Sequence, residues 1–247
     1  NFVQSLRSSE DYIYKHVLNV AILSAIIAGQ MGFPVGRINL LVKSAILHDI
    51  GALKLQQLPD AEDLDDGTKE VVKKNTQETL DRYGDLDEEV LRLITQMQEL
   101  YTRESDAEIP AGLKESVNAN ILYVADAYDR MTAMKSFEEP TSEVKAVREL
   151  LADEERYNKK IVNALIHGIS ILYPGVCVEL SNGEKGLVIT ENEDNIFEPT
   201  VLDFRNNNLY DLSDPSVKQT IEIADVMKTM DNRIKLDKSL LEEYQAN

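Results

Sequence analysis

The chain has 247 residues, 43% of them hydrophobic, enough for one sizeable core or a core with a small appendage. Lys plus Arg number 26 against 44 Asp plus Glu, a formal net charge of −18, which excludes a broad basic groove for duplex nucleic acid. A single cysteine, Cys177, excludes an intramolecular disulfide and a Cys-rich zinc site, and it fits a reducing, cytoplasmic compartment.

The sequence opens at Asn1 without Met and without a basic stretch leading into an apolar one, so it reads as a piece of a longer chain. The longest apolar run, around residues 20–28, is too short to cross a bilayer, and no membrane span is expected. From Ser9 to about Leu172 apolar residues recur at helical spacing. Ile13, His16, Val20, Leu23 and Ile27 form one stripe on a first helix that ends near Gly32 and Pro34. A second helix is predicted over Arg37 to Asp49, with Gly51 as its stop. The acidic, breaker-rich stretch Pro59 to Gly67 reads as a loop. Helices follow at about Thr68 to Tyr83, Asp87 to Tyr101 and Ser116 to Met134.

Near Tyr173 and Pro174 the pattern changes. Val176, Val178 and Leu180 alternate, Asn182-Gly183 is a tight-turn pair, and Gly186 to Thr190 alternates again, which signals a hairpin. Strands at Thr200 to Phe204 and Leu209 to Leu212 would extend it, and helices are predicted at Val217 to Met230 and Ile234 to Tyr244. The expected organisation is a helical domain over 1–172, a small β-rich extension over 173–215 and a C-terminal helical segment over 216–247.

Only three histidines exist, His16, His48 and His167. His16 lies on an apolar stripe, His48 and Asp49 are adjacent at a helix end, and Asp126 sits inside a strongly apolar helix, where an unpaired carboxylate is costly. Two imidazoles and two carboxylates suit a single divalent ion, Mn, Fe, Mg or Zn, with positions left open for water and substrate. Such an ion polarises a phosphoryl oxygen and lowers the pKa of water, the usual route to phosphate-ester hydrolysis at neutral pH. Each residue also has a plainer role: His16 as a hydrogen-bonded core histidine, His48-Asp49 as a dipole interaction plus a cap, and Asp126 as the partner of a buried Arg or Tyr. Asp129 shares a face with Asp126 and reads as a supporting or structural group, and His167 as structural.

The order His16, His48-Asp49, Asp126 resembles the HD superfamily of metal-dependent phosphohydrolases, helical bundles that hold the metal between helices. The segments Tyr12 to Val20, Leu47 to Gly51 and Val124 to Met131 are similar to the HD-GYP branch, which hydrolyses cyclic di-GMP, and the tail Tyr173 to Gly186 is similar to the β-rich extension that follows many such domains. The resemblance covers about residues 10–215. It implies a mainly α fold, an HD-type bundle followed by the small β-rich subdomain and a terminal helix, with His16, His48, Asp49 and Asp126 as metal ligands.

Several positions depart from that pattern. Its carboxylate one turn before the first His falls on Tyr12, its Lys after His-Asp-Ile-Gly falls on Ala52, and its next His ligand falls on Asn75. Its double-His segment and Gly-Tyr-Pro loop belong between Thr95 and Gly112, where Gln96-Met97-Gln98-Glu99 and Glu108-Ile109-Pro110 carry neither His nor Gly-Tyr. Most second-metal ligands are therefore gone, and at most one ion is expected.

Two functions follow. One is a divergent HD-GYP-like signalling domain with weak or lost diesterase activity, binding a cyclic dinucleotide, a protein partner or a second copy of itself; the pattern Ile234, Leu236, Leu240, Leu241 and Tyr244 offers a pairing surface. The alternative is an active mononuclear phosphohydrolase acting on a nucleotide or small phosphate ester. There Asp49 or Asp126 orients water or takes its proton, and Lys73 or Lys74 holds phosphate.

Overall fold

A computed structural model describes residues 9–55, 66–83, 86–103, 108–133, 140–192 and 194–227. Helix α1 spans Ser9–Gln30 and α2 spans Val35–Leu47, and a 3-10 turn over Ile50–Lys54 follows. Then come α3 (Asp66–Tyr83), α4 (Glu88–Tyr101), the short α5 (Ala111–Lys114), α6 (Val117–Thr132), α7 (Glu143–Ala152) and α8 (Lys159–Ile169). The expected mainly helical fold with a small β-rich part behind it is what the chain adopts.

The helical unit is built around α1, which packs against α2, α6 and α8, while α4 bridges α2 and α6. Its core is hydrocarbon of high helix content: Val20, Ile27, Leu41, Ile121, Leu122, Val124 and Leu165 are fully buried. Each such side chain is worth about 1.5–3 kcal/mol on burial, which offsets the cost of polar groups carried into the same interior. Helix α6 is buried continuously from Ala119 to Asp129, so it is the central strut, and its polar residues must find partners on neighbouring helices. Helix α4 begins where the sequence suggests, because the Asp87 carboxylate accepts from the Glu89 N–H at 2.9 Å.

Two expectations are corrected and one is qualified. First, Gly51 is not a helix stop. Helix α2 ends at Leu47, and Gly51 lies inside the 3-10 turn, where α3 comes so close that a Cβ would stand 2.3 Å from both the Thr76 nitrogen and the Val72 carbonyl oxygen. The glycine is required by close approach of two backbones. Second, the expectation that the chain carries no clear membrane span stands with one qualification: residues Ile13–Gln30 of α1 are long and apolar enough to cross a bilayer by length and composition alone, with mean hydropathy 1.3, a test that the core helix of a bundle also passes. The longest uninterrupted apolar run underestimates such a helix; here it is the packing centre of a bundle and carries a buried histidine.

Third, the helix expected over Val217 to Met230 does not form over the described part of that segment, 217–227. Only Pro215–Lys218 is helical (α9), started by the Asp214 carboxylate accepting from the Ser216 N–H at 2.8 Å, and Ile223–Val226 is a strand. Alternation of buried Ile221 and Ile223 with exposed Glu222 suits a sheet edge better than a helix face. That strand, β5, completes a five-stranded antiparallel sheet with β1 (Cys177–Leu180), β2 (Lys185–Thr190), β3 (Thr200–Asp203) and β4 (Leu209–Asp211), in the order β4-β3-β2-β1-β5. The expected hairpin pairs Val178 with Gly186, and Gly183 supplies the positive φ of 82° that its turn demands. The chain divides into two compact units, with the second beginning in the main at Ser170. The Ile234 to Tyr244 segment and most of the acidic Pro59 to Gly67 stretch lie outside the described residues.

Candidate metal centre

His16 on α1, His48 and Asp49 just after α2, and Asp126 on α6 converge in the helical unit. One ligand atom from each lies within 4.8 Å of the others, and all four residues are buried, at 2%, 1%, 6% and 1% exposure. His16 Nε2 is 2.9 Å from Asp126 Oδ1, His48 Nε2 is 3.2 Å from the same oxygen, and both nitrogens stand 3.7 Å from Asp49 Oδ2.

The imidazoles are aimed by groups behind them. His48 Nδ1 donates to the Ala45 carbonyl at 2.6 Å, which turns Nε2 toward the acids. His16 Nδ1 donates to Asp129 Oδ2 at 2.7 Å, and the other Asp129 oxygen accepts from Asn19 Nδ2 at 2.8 Å. Asp129 thus orients the first histidine, the supporting role its spacing suggests. The backbone at His48 is pinned as well: its carbonyl accepts from Gln98 Nε2 at 2.9 Å and from Thr76 Oγ1 at 3.4 Å.

The electrostatics follow from burial opposed by close partners. Burial is the largest influence on His16 and lowers its pKa, as does Arg130, but hydrogen bonds to Asp126 and Asp129 and the Asp126 charge prevail and raise it from 6.5 to about 9. Burial pushes Asp126 up, yet Arg130, the hydrogen bonds from both histidines and the charge of His16 hold it well below the usual carboxylate range. Asp49 is likewise lowered: His48, Arg130 and His16 overcome burial and the nearby Asp126.

Arg130 was not among the residues singled out from sequence. Its Nε donates to Asp126 Oδ2 and its Nη2 to Asp49 Oδ2, both at 2.8 Å, and its guanidinium lies over the Tyr101 ring, 4.5 Å from the centroid. The signal was available, since Arg130 follows Asp126 by four residues on one helix. Of the remaining sequence candidates, Lys73 reaches Glu70 at 3.5 Å and Thr102 at 3.4 Å, Lys74 is exposed, and neither belongs to the four-donor cluster. His167 is exposed in the last turn of α8.

The donor set fits a divalent ion: two imidazole Nε2 atoms with their far nitrogens hydrogen-bonded, and two carboxylates from different elements. Where the resemblance places further ligands or a lysine, the chain has other groups. Asn75 Nδ2 reaches the Gly51 carbonyl at 3.4 Å, and Ala52 is buried in an apolar cluster with Ile13 and Val72.

The sequence profile of the HD domain family matches residues 13–131, the span that carries His16, His48, Asp49 and Asp126. The chain is also similar to two curated cyclic di-GMP phosphodiesterases. It is 22% identical over 201 residues to the cyclic di-GMP phosphodiesterase PA4108 of Pseudomonas aeruginosa, covering 79% of this chain and 49% of that protein. It is 24% identical over 225 residues to the cyclic di-GMP phosphodiesterase PdeB of Borreliella burgdorferi, covering 86% and 58%. The chain therefore spans about half the length of these curated relatives. Among solved structures, Bd1817, an HDG"Y"P protein from Bdellovibrio bacteriovorus, matches with a TM-score of 0.50 at 19% identity, over 68% of this chain and 56% of that one, a likeness of fold.

Proposed function

We propose that this chain is a divergent HD-GYP-like signalling domain whose centre holds at most one divalent ion, on His16, His48, Asp49 and Asp126, and whose diesterase activity toward cyclic di-GMP is weak or lost. The observation that carries this reading is the fate of the surrounding positions. Asn75 and Gln98, where further ligands would be sought, spend their amides on the backbone carbonyls of Gly51 and His48, and Ala52 is packed in hydrocarbon. Two closely spaced ions would need more donors than the described residues bring together.

When bound, one ion supplies Lewis acidity toward a phosphoryl oxygen. The protein's own contribution is to hold His16 and His48 with their Nε2 atoms turned inward, and to keep Asp49 and Asp126 ionised as oxygen donors. Asp49, slightly more exposed than Asp126, is the carboxylate better placed to orient an attacking water. Relatives named as cyclic di-GMP phosphodiesterases favour a cyclic dinucleotide as the ligand. The alternative, a mononuclear phosphohydrolase acting on another phosphate ester, draws on the same four donors.

The test is a Mn²⁺ titration by isothermal calorimetry alongside cyclic di-GMP turnover by chromatography. One equivalent or less, with turnover at background, is expected. Two equivalents with turnover abolished by Asp49→Asn would refute the proposal.

A further inference from the structure

The two oxygens through which Asp49 and Asp126 touch Arg130 belong to the carboxylates that would serve an ion. Arg130 Nη2 is 2.8 Å from Asp49 Oδ2, the same oxygen that faces both histidine Nε2 atoms at 3.7 Å, and Arg130 Nε is 2.8 Å from Asp126 Oδ2. A planar guanidinium with several donors suits this task, since one face of its fork meets two acids from two different elements. The ring of Tyr101 lies 4.5 Å away against the guanidinium plane and restrains it in place.

Charge supplies the second half of the argument. Asp49, Asp126 and Asp129 are all buried, and three carboxylates gathered in a low-dielectric interior repel one another unless cations are present. A divalent ion is one solution. A permanent positive charge covalently fixed four residues along the same helix is another, and it is present at every metal concentration.

We propose that the Arg130 guanidinium is the resident cation of this centre: it bridges Asp49 and Asp126, holds the HD cluster together without a metal, and competes directly with a divalent ion for the same two carboxylates. The inference rests on the four donors being able to accept one ion. It goes further by assigning a single residue the control of how tightly they do so. A metal must displace the guanidinium or share Asp49 and Asp126 with it, so affinity is set low by the chain itself.

The experiment uses the full chain and Mn²⁺, with calorimetry and thermal unfolding as readouts. In the wild type, EDTA leaves the melting temperature unchanged and Mn²⁺ binds weakly. In Arg130→Gln, Mn²⁺ binds at least about tenfold tighter, in the range by which groups around a metal site alter affinity. The same variant melts lower in EDTA and regains stability as Mn²⁺ is added. The double variant Arg130→Gln/Asp49→Asn loses that recovery. Arg130→Lys, which retains charge but not the two-pronged reach, gives an intermediate affinity. Equal or weaker Mn²⁺ binding in Arg130→Gln while the wild type binds measurably would overturn the role of Arg130 and leave the metal reading standing. No Mn²⁺ binding in any variant would overturn both. Arg130→Gln that stays unfolded at every Mn²⁺ concentration would also overturn the inference, because an ion would then be unable to replace the side chain.

Discussion

Two neighbouring regions of the helical unit share a backbone plan and differ in chemistry. Between α1, α6 and the end of α2, six charged or titratable groups face one another, His16, His48, Asp49, Asp126, Asp129 and Arg130, and both nitrogens of His16 and His48 have partners. Around the 3-10 turn, α3 and α4, the polar side chains Thr76, Gln98 and Asn75 instead turn toward main-chain carbonyls and amides, and Ala52 fills the space with a methyl. The first region gathers groups able to hold a divalent ion, and in the second the polar side chains brace the main chain.

The largest blow to that contrast is Asp126→Ala. It removes the acceptor shared by His16, His48 and Arg130 and leaves buried cationic groups without their partner, so a loss of about 3–5 kcal/mol is expected in chemical denaturation. The pH dependence comes next. His16 has a folded pKa of about 9 against 6.5, so its stabilisation is fully present below pH 6.5 and disappears as pH rises through about 9. In EDTA, urea unfolding should show a decline on the order of 3 kcal/mol across that window, and His16→Gln should flatten it. The smallest effect belongs to the supporting region. Gln98→Leu leaves the His48 carbonyl with only its longer contact to Thr76, and a loss of about 1–2 kcal/mol is expected; an effect as large as that of Asp126→Ala would erase the distinction between the two regions.

Much of this was legible in the sequence. With three histidines in the whole chain, the placement of His16 on a helical apolar stripe and of His48 beside Asp49 at a helix end was informative, and the need of a buried Asp126 for partners followed from its surroundings. Asp126 does pair with an arginine, one of the partners weighed for it, through one oxygen, and it faces two imidazoles through the other. Less was legible where long-range contact decides. Gly51 resembles any helix terminator until α3 is seen pressing against it. Residues 217–230 have helical composition, yet pairing of Ile223 with Leu180 overrides local preference over Ile223–Val226.

The grip of Asp129 has one more consequence. Its two oxygens hold His16 and Asn19, which are three residues apart and therefore sit one above the other on α1. Sliding α1 along α6 by a single residue, or rolling it by a fraction of a turn, breaks both bonds at once, whereas hydrocarbon neighbours tolerate such a slip far more cheaply. The pair acts as an alignment key for the bundle, and that mechanical duty of the carboxylate is independent of whether an ion is bound.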